Sequence, residues 1–292
     1  MSDLTKTAID YNLIMIELTN GCNLDCEYCY RSRLKLKGKM LTQEELLFRL
    51  GRIKENTAIL FCGMGEQLTH PQFYDFLELA GNHRIQLVTN GTIRIDMDRL
   101  TRAKNVQSIT FSVDGHDEET AQKACSRYRF DILISNLEKL QEQKGIQISI
   151  NFVISKDNVD YLFEMADFCN QYQVSALNLL LPTTDLKWVS NNYDRIHEVL
   201  SELRKYVEEK NYTMIVNLPD TMFCMYNGYI IPYISVEGYV RPCCSHNRGV
   251  RVDGQIQKNN MEEIMNDTPW KTFINEFDCD KCSMNQVRFS FE

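Results

Sequence analysis

The sequence predicts an α/β protein: a partial (β/α)6 barrel of the TIM-like kind over residues 9–216, then a small α+β region over residues 217–292. Three observations carry this reading. Six apolar, β-rich runs recur between residues 9 and 181, with helical patterns between them. Strands joined through helices pair in parallel, because a parallel neighbour is reached only by a long crossover. Past residue 216 the pattern changes to short β-rich pieces broken by Gly228, Pro232 and Gly238, which suits hairpins better than another strand–helix unit.

The first strand is expected at residues 12–19, where Leu13, Ile14, Met15 and Ile16 form an apolar run leading into Asn20-Gly21-Cys22. Thr42 then opens a helix, with Glu45 three residues on as its capping-box partner. A strand at residues 57–62 ends at Gly63-Met64-Gly65-Glu66, where glycine permits tight backbone geometry. Residues 71–79 read as helix, 84–89 as strand, 96–103 as a short helix, 107–113 as strand and 128–143 as helix. The fifth strand covers residues 146–154, Asp157 is placed to cap a helix running to about Cys169, and residues 174–181 give the sixth strand. A helix over residues 191–209 leads into 212–216, and a last helix over 261–277 stops just before Cys279-Asp280-Lys281-Cys282.

Composition narrows the function. With 32 Lys and Arg against 40 Asp and Glu, the net charge of -8 argues against a broad grip on nucleic acid. Residues 31–39 carry five positive charges, either a solvated loop balancing nearby acids or a local site for an anion. There is no apolar run of 18 residues, and Asp3, Lys6 and Asp10 near the start are unlike a signal peptide. No membrane partner is expected, and a cytoplasmic enzyme is.

Eleven cysteines are the unusual count, and seven of them fall into two short-spaced groups. In a reducing compartment such groups suggest metal ligands more than disulfides. Cys22-x3-Cys26-x2-Cys29 lies in the loop after the first strand. Three thiolates there suit a soft metal or an iron–sulfur cubane, and three ligands for four irons leave one iron open. Structural zinc would want a fourth ligand, and the nearest histidine is His70. Gly65, Glu66, Asn90, Ser112, Asp114 and Asn151 all fall near the carboxyl ends of the expected strands, the edge where barrels and open sheets bind ligands. Each has a plainer alternative: Glu66 as a cap for the helix near Pro71, Ser112 and Asn151 as ordinary polar strand residues.

The cysteine spacing, its place after the first strand and Tyr28 before the third cysteine together resemble the signature of the radical S-adenosylmethionine (SAM) superfamily. The resemblance implies a SAM-binding [4Fe-4S] cluster on Cys22, Cys26 and Cys29, with SAM chelating the open iron. Gly63-Met64-Gly65-Glu66 is similar to the family's glycine-glycine-glutamate segment, which holds the methionyl amino group; Met64 departs from its second glycine. Ser112 and Asp114 resemble ribose and carboxylate contacts, and Asn151 and Leu179 further cofactor contacts.

Cys224, Cys243, Cys279 and Cys282 make a full set of four thiolates, enough to close a cubane or hold one zinc. With residues 238–243 and 261–265, they resemble the Twitch domain, the shortened form of the SPASM domain, which implies one auxiliary [4Fe-4S] cluster. The implied function is reductive SAM cleavage, hydrogen abstraction by a 5′-deoxyadenosyl radical, and oxidation of the substrate radical through the auxiliary cluster. A small polar metabolite is the expected substrate and a flavodoxin or ferredoxin the electron donor. The alternatives are a peptide-modifying enzyme, forming crosslinks or inverting a stereocentre, and a plain iron–sulfur electron carrier. With 21 residues before Cys22, a fused peptide-recognition domain is not expected. Cys244 and then Cys62 are candidate hydrogen donors for an epimerisation, and His116 is a candidate base.

Overall fold

The computed structural model describes residues 12–29, 31, 34, 36–182, 184–219, 231–243, 250, 251, 261, 265, 289 and 291. Seven strands run in chain order as parallel neighbours: β1 (Leu13–Ile16), β2 (Ala58–Phe61), β3 (Ile85–Thr89), β4 (Val106–Ser112), β5 (Gln147–Val153), β6 (Ala176–Leu180) and β7 (Ile215–Asn217). All six expected strands are present, and the 212–216 run supplies part of a seventh. Such an order, with helical crossovers, is consistent with a partial (β/α) barrel.

Alternation sorts the two faces of the sheet. On β4 and β5, Ile109, Phe111, Ile150 and Phe152 are fully buried, while Ser112 and Asn151 between them are partly open. The buried set joins one core with residues from α1 (Gln43–Leu50), α2 (Phe73–Leu79), α3 (Met97–Arg102), α4 (Glu118–Ala124) and α5 (Phe130–Gln141). The same core takes in α6 (Leu162–Gln171), α7 (Leu186–Asn191) and α8 (Tyr193–Glu209). The opposite face carries a small second cluster of Met15, Leu60 and Tyr233, with Cys62 and Val88 against it.

The caps follow local chemistry. Thr42 accepts the Glu45 N–H at 3.1 Å while the Glu45 carboxylate accepts the Thr42 N–H at 2.8 Å, the expected capping box. One expectation is corrected, one is met and one element is new. Asp157 caps no helix: α6 begins at Leu162 after a 3-10 turn over Val159–Tyr161, and Asn158 folds its side chain back onto the Ser155 N–H instead. The helix expected over 191–209 is present as α8, preceded by the short α7, whose C-cap is Asn192. The short α4, nucleated by a capping box between Asp117 and Thr120, was not expected.

The hairpin expected at Gly238 is found, formed by β8 (Tyr233–Ile234) and β9 (Tyr239–Arg241), with Gly238 at φ 89°. β8 also pairs in parallel with β1: the Met15 N–H donates to Pro232 O at 2.8 Å and the Glu17 N–H to Ile234 O at 3.0 Å. With β10 (Val250–Arg251) the ten strands found among the described residues form one sheet, in which the strands after residue 217 join through the β1–β8 pair. The driving force is the edge of β1, whose backbone groups would otherwise lack partners. Among the described residues no helix is long and apolar enough to cross a membrane.

Candidate functional site

The loop after β1 carries Cys22, Cys26 and Cys29, all half-buried and without disulfides. Cys22 Sγ accepts the Leu24 N–H at 3.4 Å and lies 3.9 Å from Asn90 Nδ2, while the Cys29 N–H donates to Cys26 O at 3.0 Å. Burial raises the pKa of the Cys22 and Cys26 thiols, so ligation there must displace protons. Among the described residues no three His, Cys, Asp or Glu side chains are gathered to hold a single metal ion. One ion would draw its thiolates to about 3.8 Å apart, given Zn–S bonds of about 2.3 Å. Three thiols on one loop, at the carboxyl edge of a parallel sheet, are a donor set suited to a soft metal or an iron–sulfur group.

The turn after β2 packs directly under this loop. A Cβ on Gly65 would stand 2.2 Å from Gly21 O and 2.4 Å from Thr19 O, and one on Gly63 would stand 2.5 Å from Glu17 Cγ. Both positions need glycine for space. Position 64 does not: its backbone is not left-handed and its side chain is half-buried, which explains how methionine stands there. Glu17, which sequence reasoning missed, ties three elements together. Its carboxylate accepts the Met64 N–H at 2.7 Å and the Val236 N–H at 3.0 Å, and it is hydrogen-bonded to Tyr233. A lone acid closing an apolar strand was the available signal.

Glu66 is buried and its carboxylate is engaged on all sides. It accepts the Leu68 N–H at 3.0 Å, the Thr89 hydroxyl at 2.9 Å and the Asn90 N–H at 2.6 Å, and its own N–H donates to Gly21 O at 2.8 Å. It caps the 3-10 turn Gln67–Thr69, so the plainer cap reading holds for that turn rather than for α2. Burial raises its pKa against the pull of these donors. The Asn90 carboxamide then reaches the cysteine loop, donating to Asn23 Oδ1 at 2.9 Å.

Asp114, just beyond β4, is also held internally. Its carboxylate accepts the Val153 N–H at 2.7 Å and the hydroxyl of Tyr28, so the residue before Cys29 is anchored to β4. Burial pushes its pKa up to about 6. A raised carboxylate pKa means the folded state holds its proton more tightly. Its contribution to stability is therefore greatest below about pH 4 and falls as pH rises through about 6, by roughly 3 kcal/mol. Asp114→Asn should remove that part of the pH dependence. Urea unfolding at pH 4.5 and 7 would show it, and an unchanged slope in the variant would reject the assignment.

Ser112, Asn151, Asn178 and Asn217 stand in register across β4 to β7. Asn217 Nδ2 donates to Asn178 Oδ1 at 2.7 Å and Asn178 Nδ2 to Asn151 Oδ1 at 2.9 Å, a carboxamide row on the face opposite the main core. Leu179 is not part of it. Its side chain is 2% exposed within the main core, on the other side of β6. Asn178 was missed, though a polar residue inside Leu177-Asn178-Leu179 was the signal.

His116 lies in the loop between β4 and α4. Its Nε2 lies 3.4 Å from Asp117, its ring packs on Tyr161 at 5.5 Å, and its buried Nδ1 has no hydrogen-bond partner. Cys62 is half-buried beside Met15, Leu60, Tyr233 and Val88 on the face carrying the carboxamide row. Cys243 is half-buried just past β9, and Cys224, Cys244, Cys279 and Cys282 lie outside the described residues.

Comparison with known proteins supplies the context. The "Tungsten-containing aldehyde ferredoxin oxidoreductase cofactor-modifying protein" of Pyrococcus furiosus is 25% identical over 79% of this chain and 70% of its own length. The "Sporulation killing factor maturation protein SkfB" of Bacillus subtilis is 24% identical over 85% of this chain and 63% of its own. The chain thus spans roughly two thirds of these relatives. The crystal structure of Streptococcus suis SuiB bound to precursor peptide SuiA shares the fold, with a TM-score of 0.68 at 15% identity over 94% of this chain and 70% of that one. Residues 224–283, from the first to just past the last cysteine of the second set, match SPASM, an iron–sulfur cluster-binding domain. Residues 16–169, from the end of β1 into α6, match the Radical SAM superfamily model; with more than half its length so matched, the chain belongs to that superfamily and carries a SPASM/Twitch-like auxiliary domain.

Proposed function

We propose that the chain modifies a peptide by radical chemistry, using SAM and two [4Fe-4S] clusters. The observation that carries the proposal is the convergence of the cysteine loop, the Gly63–Gly65 turn and the Ser112–Asn151–Asn178 row on one edge of the sheet. Cys22, Cys26 and Cys29 would hold the SAM-binding cluster, and Cys224, Cys243, Cys279 and Cys282 a closed auxiliary cluster. When bound, the cluster and SAM supply one-electron cleavage to a 5′-deoxyadenosyl radical and with it hydrogen abstraction.

The chain's own residues place the reactants. The Gly63–Gly65 turn would hold the methionyl end of SAM, Glu66 stiffens that turn, and Ser112 and Asn151 would meet its nucleoside. Asp114 acts by holding Tyr28 and the cysteine loop. The partly open row of Ser112, Asn151 and Asn217 would offer polar partners to a peptide segment, whose backbone is itself a row of amides. The small polar metabolite expected from sequence is less well supported, since SkfB is named a maturation protein and SuiB is seen with a precursor peptide. The domain division near residue 217 and a flavodoxin- or ferredoxin-type donor are kept as parts of the proposal.

The test is transfer of deuterium. Reconstituted enzyme, SAM and reductant are incubated with extract from deuterium-fed producing cells, separated by size into peptide and small-molecule fractions. Label should reach 5′-deoxyadenosine from the peptide fraction; label from the small-molecule fraction alone would restore the metabolite reading. The position of Cys62 on the inner face supports a second reading, epimerisation. A product of unchanged oxidation level that gains solvent deuterium at carbon, and loses it in Cys62→Ala, would establish that in place of oxidation.

A further inference from the structure

Cys125 has no part in either cysteine set, yet it lies against the first one. It is the C-cap of α4, 4% exposed, and its thiol stands among the groups whose closeness keeps the proton on Cys26. The backbones beside the two cysteines are joined. The Glu27 N–H donates to Ala124 O at 3.3 Å, Cys125 Sγ lies 3.9 Å from Asp25 Oδ1, and Arg127 pairs with Asp25 at 3.0 Å. Residues 25–27 and 124–127 therefore run as tied neighbours. That tie sets the two cysteines side by side on neighbouring segments, the arrangement a disulfide requires.

We infer that Cys26 and Cys125 are a disulfide-forming pair, bridged when the cluster-free chain meets a small-molecule disulfide. The clause on cluster loss rests on Cys26 being a cluster ligand, as proposed above; the pairing itself rests on the tie between residues 25–27 and 124–127. Chemically, the Cys26 thiolate attacks one sulfur of the small disulfide and expels its first thiolate. The Cys125 thiolate then attacks the Cys26 sulfur of the mixed disulfide, forms the protein S–S bond and expels the second. The two cysteines give up two protons and two electrons, and the small disulfide becomes two thiols. Cys26 thus reaches a reducible state and is spared irreversible oxidation, but it cannot bind iron until a thiol reductant opens the bridge.

The test uses the full chain, as holoenzyme and after anaerobic removal of iron by a chelator. Each is treated with oxidised glutathione, alkylated, digested and analysed by mass spectrometry. The stripped chain should yield a linked peptide pair containing Cys26 and Cys125, and should rebuild its cluster only after dithiothreitol. Cys125→Ala and Cys125→Ser should yield Cys26 bound to glutathione and no linked pair. Cys26 joined mainly to Cys22 or Cys29, or left as a glutathione adduct in the wild-type chain, would overturn the pairing. A bridge forming equally in intact holoenzyme would overturn the role of Cys26 as a ligand while leaving the pairing standing.

Discussion

Replacing Cys22, Cys26 and Cys29 together with alanine should abolish 5′-deoxyadenosine formation and remove about four of eight irons per chain, the content of one cubane. On the proposed reading the loss is total, because these three thiolates would hold the cluster that supplies the electron for SAM cleavage. The substitutions should leave the fold intact. All three side chains are half-buried and project from a loop, and Leu24, whose N–H meets Cys22 Sγ at 3.4 Å, is placed by its own burial in the main core. Each truncation is thus of the mild kind, roughly 1 kcal/mol or less. Iron analysis, circular dichroism and chromatographic assay of 5′-deoxyadenosine check the three parts. Continued SAM cleavage by a folded triple variant would remove the cluster from this loop. Cys125→Ala offers the contrast: it touches the same loop, and should retain both iron and SAM cleavage.

Much of the fold was legible because its signals are local. The strand runs 57–62 and 84–89 are short, apolar and β-branched, and Thr42 with Glu45 announces a helix start through backbone chemistry that needs no partner from elsewhere. What was not legible depends on distant partners. Nothing within Pro232-Tyr233-Ile234 says that this segment pairs with β1, more than 200 residues earlier; that follows from the unfilled edge of the parallel sheet. α4 was missed because its capping box, Asp117 and Thr120, sits in a polar stretch without an apolar stripe. In the site, the cysteine spacing and the strand ends were readable, while the duties of individual carboxylates were not. Glu66 and Asp114 stand where ligand contacts were expected, yet their oxygens are taken up by Thr89, Asn90, Val153 and Tyr28. Only burial and the positions of the donors, which come from the end of β3, the end of β5 and the cysteine loop, reveal that they brace the site. Leu179 shows the opposite failure. The alternation on β6 places it in the core, and the neighbouring Asn178 carries the polar face.

Gly65→Ala should be the most damaging single substitution at the site that leaves every proposed ligand in place. The new methyl carbon would meet Gly21 O at 2.2 Å, Thr19 O at 2.4 Å and the carbonyl carbon of Asn20 at 2.8 Å, all of them backbone. Side chains can rotate away from such a contact, but a backbone held on both sides must shift as a unit. Thr19 is tied to Lys39 O through its hydroxyl at 2.9 Å, and Gly21 O accepts the Glu66 N–H at 2.8 Å. The turn and the cysteine loop must therefore part, and the Glu66–Gly21 hydrogen bond goes with them. Overpacking of about 1–3 kcal/mol and a lost buried hydrogen bond of about 1 kcal/mol put the cost at roughly 2–4 kcal/mol. Gly63→Ala should cost less, because its 2.5 Å contacts are with the Glu17 side chain, although moving that carboxylate strains its bonds to Met64 and Val236. Met64→Ala should cost least. Urea unfolding should rank the variants in that order, and SAM binding by equilibrium dialysis should follow it, since Gly65 sets the distance between the turn and the cysteines. If Gly65→Ala proves as stable as Met64→Ala and binds SAM as well, the close approach of these two loops is not what builds the site.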